Sequence, residues 1–192
     1  MAFTVSTFKS SMAKQSGGAR PALYQIDING KNLSTSFTGS ENILCKAASI
    51  PPANIAPLAV NYAGRAYKWN GFRTYDNWTV TVINDESFSA RNKMMQWMRI
   101  MAGKFEGERD SALGDPLLGT GWFDGDATVT QLSTSGKALQ VYKFQYLWPT
   151  EIAGIPVDWS SDAIQEYTVT FAYDYWGHGT TSTAKDVVDA TS

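Results

Sequence analysis

Few side chains in this sequence have the type and spacing for bond-making chemistry. The one histidine, His178, stands between Gly177 and Gly179 near the C-terminal end. A Ser-His-Asp relay needs a buried, oriented imidazole, and a glycine-flanked histidine is expected to be exposed. The one cysteine, Cys45, excludes an internal disulfide and a cysteine-rich metal site. It follows Ile43 and Leu44, so a buried free thiol is expected, in a chain made in a reducing compartment. Asp124-Gly125-Asp126 resembles a fragment of a calcium loop but lacks the alternating ligands that end in Glu. Gly119-Thr120-Gly121 runs into Trp122-Phe123 rather than into a Lys-Ser pair, so no phosphate cradle follows. The expectation is a protein with no catalysis, no metal and no cofactor.

Bulk properties point elsewhere. The 192 residues are 43% hydrophobic and 13% aromatic, with seven tryptophans, which favours a β-rich core. Only 18% are charged, below the usual quarter, which suggests that copies of the chain cover much of its surface. The net charge of -2 comes with no basic block, so stable wrapping of nucleic acid is not expected. Transient passage past a neutral wall stays open. Met1 to Gly18 has no signal-peptide core, and no apolar run is long enough to span a membrane.

Alternation supplies most of the elements. Phe72–Ile83 reads as one strand, with Phe72, Trp78, Val80 and Val82 on one face and Thr79 and Thr81 on the other. Gln165–Tyr175 repeats the theme: Tyr167, Val169, Phe171 and Tyr173 against Glu166, Thr168, Thr170 and Asp174. Threonine keeps strand propensity while presenting short neutral hydroxyls. Such a face suits something that slides past without sticking.

Other strands are expected at 20–28 before an Asn29-Gly30 turn, at 40–49, at 127–134, and at 138–148 ending at Pro149. The last should place Gln140, Tyr142, Phe144, Tyr146 and Trp148 on one side. Ile50-Pro51-Pro52 opens a projecting loop over 50–57. Leu58–Tyr62 and Arg65–Trp69 flank Ala63-Gly64 as a hairpin, and Asn70-Gly71 turns the chain onward. The one convincing helix is Phe88–Ala102, with Ala90, Met94, Trp97, Met98 and Met101 on its core side. The layout is an N-terminal arm (1–19), a β domain (20–176) with a Gly- and acid-rich loop (103–126), and a polar tail (177–192). Antiparallel order and a single helix predict a mainly β sandwich or barrel with one flanking helix.

Six segments follow one another in a fixed order: Gly18–Tyr24, Leu44–Pro51, Val60–Arg65, Trp78–Glu86, Tyr146–Pro149 and Glu166–Asp174, covering about residues 18–176. As an ordered set they resemble the tail tube proteins of contractile-tailed phages. The resemblance implies six copies in a ring, their strands joined into one barrel around a channel. Rings would stack into a tube inside the tail sheath, next to baseplate and terminator proteins, with tape-measure protein and genomic DNA in the bore. The type VI secretion tube protein shares that architecture. A baseplate tube initiator, the tube of a phage-derived injection or secretion system, and a ligand-binding β-sandwich are the alternatives.

Within this frame the candidate lumen face is Thr79, Thr81, Glu166, Thr168, Thr170 and Asp174, the two acids repelling phosphate. Those strands facing sheath or solvent is the competing reading. Candidate ring-to-ring contacts are Phe3, Val5 and Phe8 in the arm and Ile50, Pro51, Pro52, Asn54 and Ile55 in the loop. A frayed terminus and a plain surface turn are the competing readings there. The loop 103–126 is longer and richer in glycine than the resemblance implies.

Overall fold

The computed structural model describes residues 4–14, 18–30, 37, 42, 44–102 and 125–179. Phe3, Ile43, Trp122, most of the acidic loop (103–124) and the tail beyond Gly179 lie outside the described residues. The elements in chain order are α1 (Val5–Lys14), β1 (Tyr24–Gly30), β2 (Cys45–Ala48), β3 (Asn54–Tyr62), β4 (Arg65–Thr74) and β5 (Trp78–Ile83). There follow α2 (Ser89–Ala102), β6 (Gly125–Leu132), β7 (Ala138–Ile152), β8 (Glu166–Ala172) and β9 (Tyr175–Gly179).

Seven strands form one antiparallel sheet in the order β1-β6-β7-β8-β5-β2, with β9 also on β7. The long strand β7 is its spine. Gln145 pairs with Tyr175 of β9, and Trp148 pairs with Ala172 of β8, so β8 and β9 run along β7 as one kinked strand. The kink coincides with Tyr146 at φ 55, a left-handed backbone that re-aims the residues beyond it. The bend rolls the sheet until its ends meet: the Tyr24 hydroxyl of β1 donates to the carbonyl oxygens of Cys45 and Lys46 in β2.

The strand faces that alternation marks as apolar fill the interior. Ile26, Ile28, Val80, Val82, Val129, Val169 and Phe171 are all buried. Trp78 stacks on Phe144 at 4.5 Å between ring centroids and leans on Phe171 at 5.6 Å. Helix α2 closes the core with Ala90, Met94 and Trp97. It starts where Asp85 accepts from the Ser89 amide at 3.2 Å and the Ser89 hydroxyl at 3.0 Å, satisfying an orphan helix N–H. Those hydrogen bonds, with the larger one from Ser87, hold the Asp85 carboxyl below its ordinary range.

Several expected boundaries move. Phe72–Ile83 is two strands, not one: β4 ends at Thr74 and β5 begins at Trp78, and Phe72 is 93% exposed while Trp78 is 1% exposed. Asn70-Gly71 is no turn. A register shift between Ile55 and Pro57 pushes the Ala56 carbonyl against Gly71, where a Cβ would lie 2.4 Å from that oxygen. Only glycine accepts that approach inside a strand. Asn54, Ile55 and Pro57 belong to β3, so the projecting loop shortens to residues 50–53.

Pro149 does not end β7 but sits buried within it, at a register shift. The kink also breaks the expected β7 face, burying Leu147 and exposing Tyr146 at 45%. Asn29-Gly30 closes β1 in register with Asp126-Gly125 rather than turning. The arm contains a second helix, α1, and the tail's first residues, 177–179, are strand. Trp69 is 65% exposed and Trp159 fully so.

Candidate functional site

Two surfaces stand out, one hydroxyl-rich and one apolar. The first is the outer face of the β5–β8 ladder. Thr79 pairs with Thr170, Thr81 with Thr168, and Ile83 with Glu166, so the threonines lie side by side opposite the core. Val80 and Val169, between them, point inward and are fully buried, which fixes the threonines outward. The Thr150 hydroxyl donates to the Thr170 carbonyl at 3.0 Å, adding a hydroxyl from β7.

Both expected acids behave differently. Glu166 accepts from Lys46 of β2 at 2.5 Å, so a cation stands beside that acid on the solvent side. Asp174 leaves the ladder altogether: it lies past the end of β8, at the kink, where its amide donates to the Gln145 carbonyl at 3.2 Å. Glu151, in register with Thr170, is the acid that sequence reasoning missed.

The second surface is the β3–β4 hairpin. Ala63 at φ 50 and Gly64 at φ 75 form its tip, the paired left-handed backbone that two-residue hairpin turns require. Leu58 faces Trp69, Val60 faces Tyr67, and Tyr62 faces Arg65. Opposite residues share a face, so Leu58, Val60, Tyr62, Tyr67 and Trp69 make one continuous apolar face. Ala59, Asn61, Ala66, Lys68 and Asn70 make the other. The apolar face is open, from 46% exposure at Val60 to 73% at Tyr62. Among the described residues β3 and β4 pair only with each other.

The remaining expected contact residues lie at the root of that hairpin and on α1. Ile50, Pro52, Asn54 and Ile55 are exposed at its root, whereas Pro51 is buried and offers no surface. Val5 is 70% and Phe8 51% exposed on α1, which buries none of its residues.

The would-be chemical groups are occupied structurally. Cys45 is buried and unpaired, its thiol pushed up to about 12 by burial, with the Asp27 charge adding. His178 is an exposed residue of β9, its ring 6.0 Å from Trp176. Asp126 pairs with Lys143 at 3.4 Å, and Gly125 opens β6 under the Trp97 ring. Among the described residues no cluster of three His, Cys, Asp or Glu could hold a metal, and no helix is long and apolar enough to cross a membrane.

The described residues thus form a curled antiparallel sheet with a capping helix and a separate hairpin whose apolar face is exposed. Residues 6–178 match the family of phage tail tube proteins. The chain belongs to that family. This tail tube family member is 34% identical over 162 residues to tail tube protein gp19 of Enterobacteria phage T4, covering 82% of the chain and 90% of that relative. It is 21% identical over 173 residues to the tail tube protein of Serratia phage KSP90. Among solved structures, the anti-feeding prophage tube-terminating cap superposes with a TM-score of 0.61 at 14% identity, over 85% of the chain and 92% of the cap protein. A protein from the sheath-tube complex of an extracellular contractile injection system gives 0.59 at 11%, over 94% of the chain and all of its own. At these identities the structures establish a shared fold alone.

Proposed function

We propose that this protein is the structural subunit of the inner tube of a contractile phage tail. Six copies close a ring, rings stack, and the genome passes down the bore during ejection. The observation that carries this reading is the β3–β4 hairpin. An isolated two-stranded hairpin is marginal in water, and this one leaves five large side chains of one face uncovered. Copies of the same chain provide the cover that an open stack supplies through unlike patches on successive rings.

In this arrangement the hairpin face, Ile50, Pro52, Asn54, Ile55 and the α1 residues Val5 and Phe8 make the ring-to-ring contacts. The Thr79/Thr81/Thr168/Thr170 face lines the bore, where neutral hydroxyls next to the Lys46–Glu166 pair neither grip nor strongly repel phosphate. β1 and β2 end the sheet with no ladder partner on their outer sides among the described residues, and joining strands between subunits completes those ladders. The sheath lies outside, baseplate and terminator proteins lie at the tube ends, and tape-measure protein occupies the bore before DNA. No catalytic group or cofactor is needed.

The test is assembly of the purified protein. Negative-stain electron microscopy is expected to show rings and hollow filaments. A compact monomer by size-exclusion chromatography at every concentration would overturn the reading. Single rings that never elongate would instead favour a baseplate initiator.

A further inference from the structure

Among the described residues the apolar hairpin has no ladder to the seven-stranded sheet, so its direction rests on other contacts. It is joined by two short connections, residues 49–53 and 75–77. Prolines 51 and 52 in the first have no N–H to donate and leave carbonyls that need partners. Two indoles bond carbonyls of this connection: Trp78 Nε1 donates to the Ser49 carbonyl at 2.9 Å, and Trp176 Nε1 donates to the Pro52 carbonyl at 3.2 Å.

Trp176 also holds the outgoing arm. The Arg73 guanidinium lies 4.8 Å from the Trp176 ring centroid and 5.1 Å from that of Tyr75. Both are cation–π distances. One side chain thus grips the incoming arm with its N–H and the outgoing arm with its π face. The grip is anchored behind. Tyr142 meets Trp176 edge-on at 6.0 Å. Tyr75 meets Tyr173 at 5.9 Å, and Tyr173 meets the fully buried Phe144 at 4.9 Å.

We infer that Trp176 and Arg73 form a root clamp that sets the angle at which the hairpin leaves the barrel, making both of them positioning residues for ring-to-ring docking. The docking half of this inference rests on the assembly proposed above; the clamp itself does not. Leverage makes the angle matter. The nine residues of β3 span about 30 Å at about 3.3 Å each, so a swing of about 10° at the root moves the tip about 5 Å. That displacement exceeds the contact distance between packed side chains.

The test compares the full-length protein with Trp176→Phe, which keeps the ring but removes the N–H, with Arg73→Leu, and with Arg73→Lys, which keeps the cation. Hydrogen exchange read by mass spectrometry is expected to speed up about three- to tenfold across residues 54–74 in Trp176→Phe and Arg73→Leu. Residues 78–83 and 166–172 should keep wild-type rates, and Arg73→Lys should recover at least part of the protection. In parallel, the concentration needed for filament growth should rise about tenfold in the first two variants. Unchanged hairpin exchange in both variants would overturn the clamp. So would a uniform rise that includes residues 78–83 and 166–172, because that reports a general loss of stability rather than a freed hairpin. A wild-type protein that makes no filaments defeats the assembly reading, while the exchange comparison still decides the clamp.

Discussion

The sharpest consequence of the hairpin is that its apolar face stabilises the assembly and not the subunit. Replacing Leu58 and Trp69 together by threonine tests this, because threonine keeps strand propensity while removing most of the apolar surface. The two residues face each other across β3 and β4, 59% and 65% exposed. Taking about 250 Å² for a whole indole, Trp69 leaves about 160 Å² open, and Leu58 adds about 100 Å² on the same scale. At about 25 cal/mol per Å², full coverage by a neighbour is worth about 6 kcal/mol, and half coverage about 3 kcal/mol. The critical concentration for filament growth, measured by sedimentation, should therefore rise about 100-fold. The subunit loses only a cross-strand pair worth about 0.5 kcal/mol, so its Tm should fall by no more than about 2 °C. Filament growth at the wild-type concentration would refute the assignment of this face to an interface. A large fall in subunit Tm would show instead that the face packs on its own chain.

Three further outcomes follow from other parts of the fold. Thr79→Lys with Thr168→Lys adds two cations per subunit to the outward hydroxyl face; rings should form, but genome delivery should slow, and normal infectivity at full virion yield would remove this face from the bore. The Cys45 thiol, pushed from 9.0 to about 12, stays neutral in the folded chain while the unfolded chain ionises. Stability should then be intact below pH 9 and fall above it, by about 2 kcal/mol at about pH 10.5. Tyr167, pushed from 10.0 to about 12 by burial, adds to the same alkaline loss. Cys45→Ala should flatten the Tm profile between about pH 8 and 10.5, and equal slopes would contradict the burial argument. Gly125→Ala places a methyl 2.3 Å from both the Leu147 carbonyl and the Trp97 ring. Thermal unfolding should show a loss of about 2–3 kcal/mol, and an unchanged Tm would mean that α2 does not press on β6 as described.

Local pattern determined a good deal of this protein. Strict alternation at Trp78–Ile83 and Glu166–Ala172 is enough to assign the buried and hydroxyl faces, because a strand inverts its side chains at every residue wherever it is regular. Apolar spacing in 89–101 identifies α2 and its inward residues, and Ala63-Gly64 identifies the hairpin tip. The neutral composition and isolated Cys45 and His178 direct attention away from catalysis. The ordered set of segments carries the resemblance to tail tube proteins.

Tertiary structure decided what depends on partners far along the chain. Tyr146 turns left-handed where β7 passes from β9 to β8, and no short-range signal marks that kink. Gly71 lies inside a strand because the Ala56 carbonyl closes on it from the opposite arm. Glu166 stands beside Lys46, 120 positions away, so its surroundings could not be judged from its own strand. Alternation also could not tell that the apolar face of β3–β4 is uncovered: periodicity reports which side is greasy, while only the packing of other elements determines whether anything in the same chain lies over it.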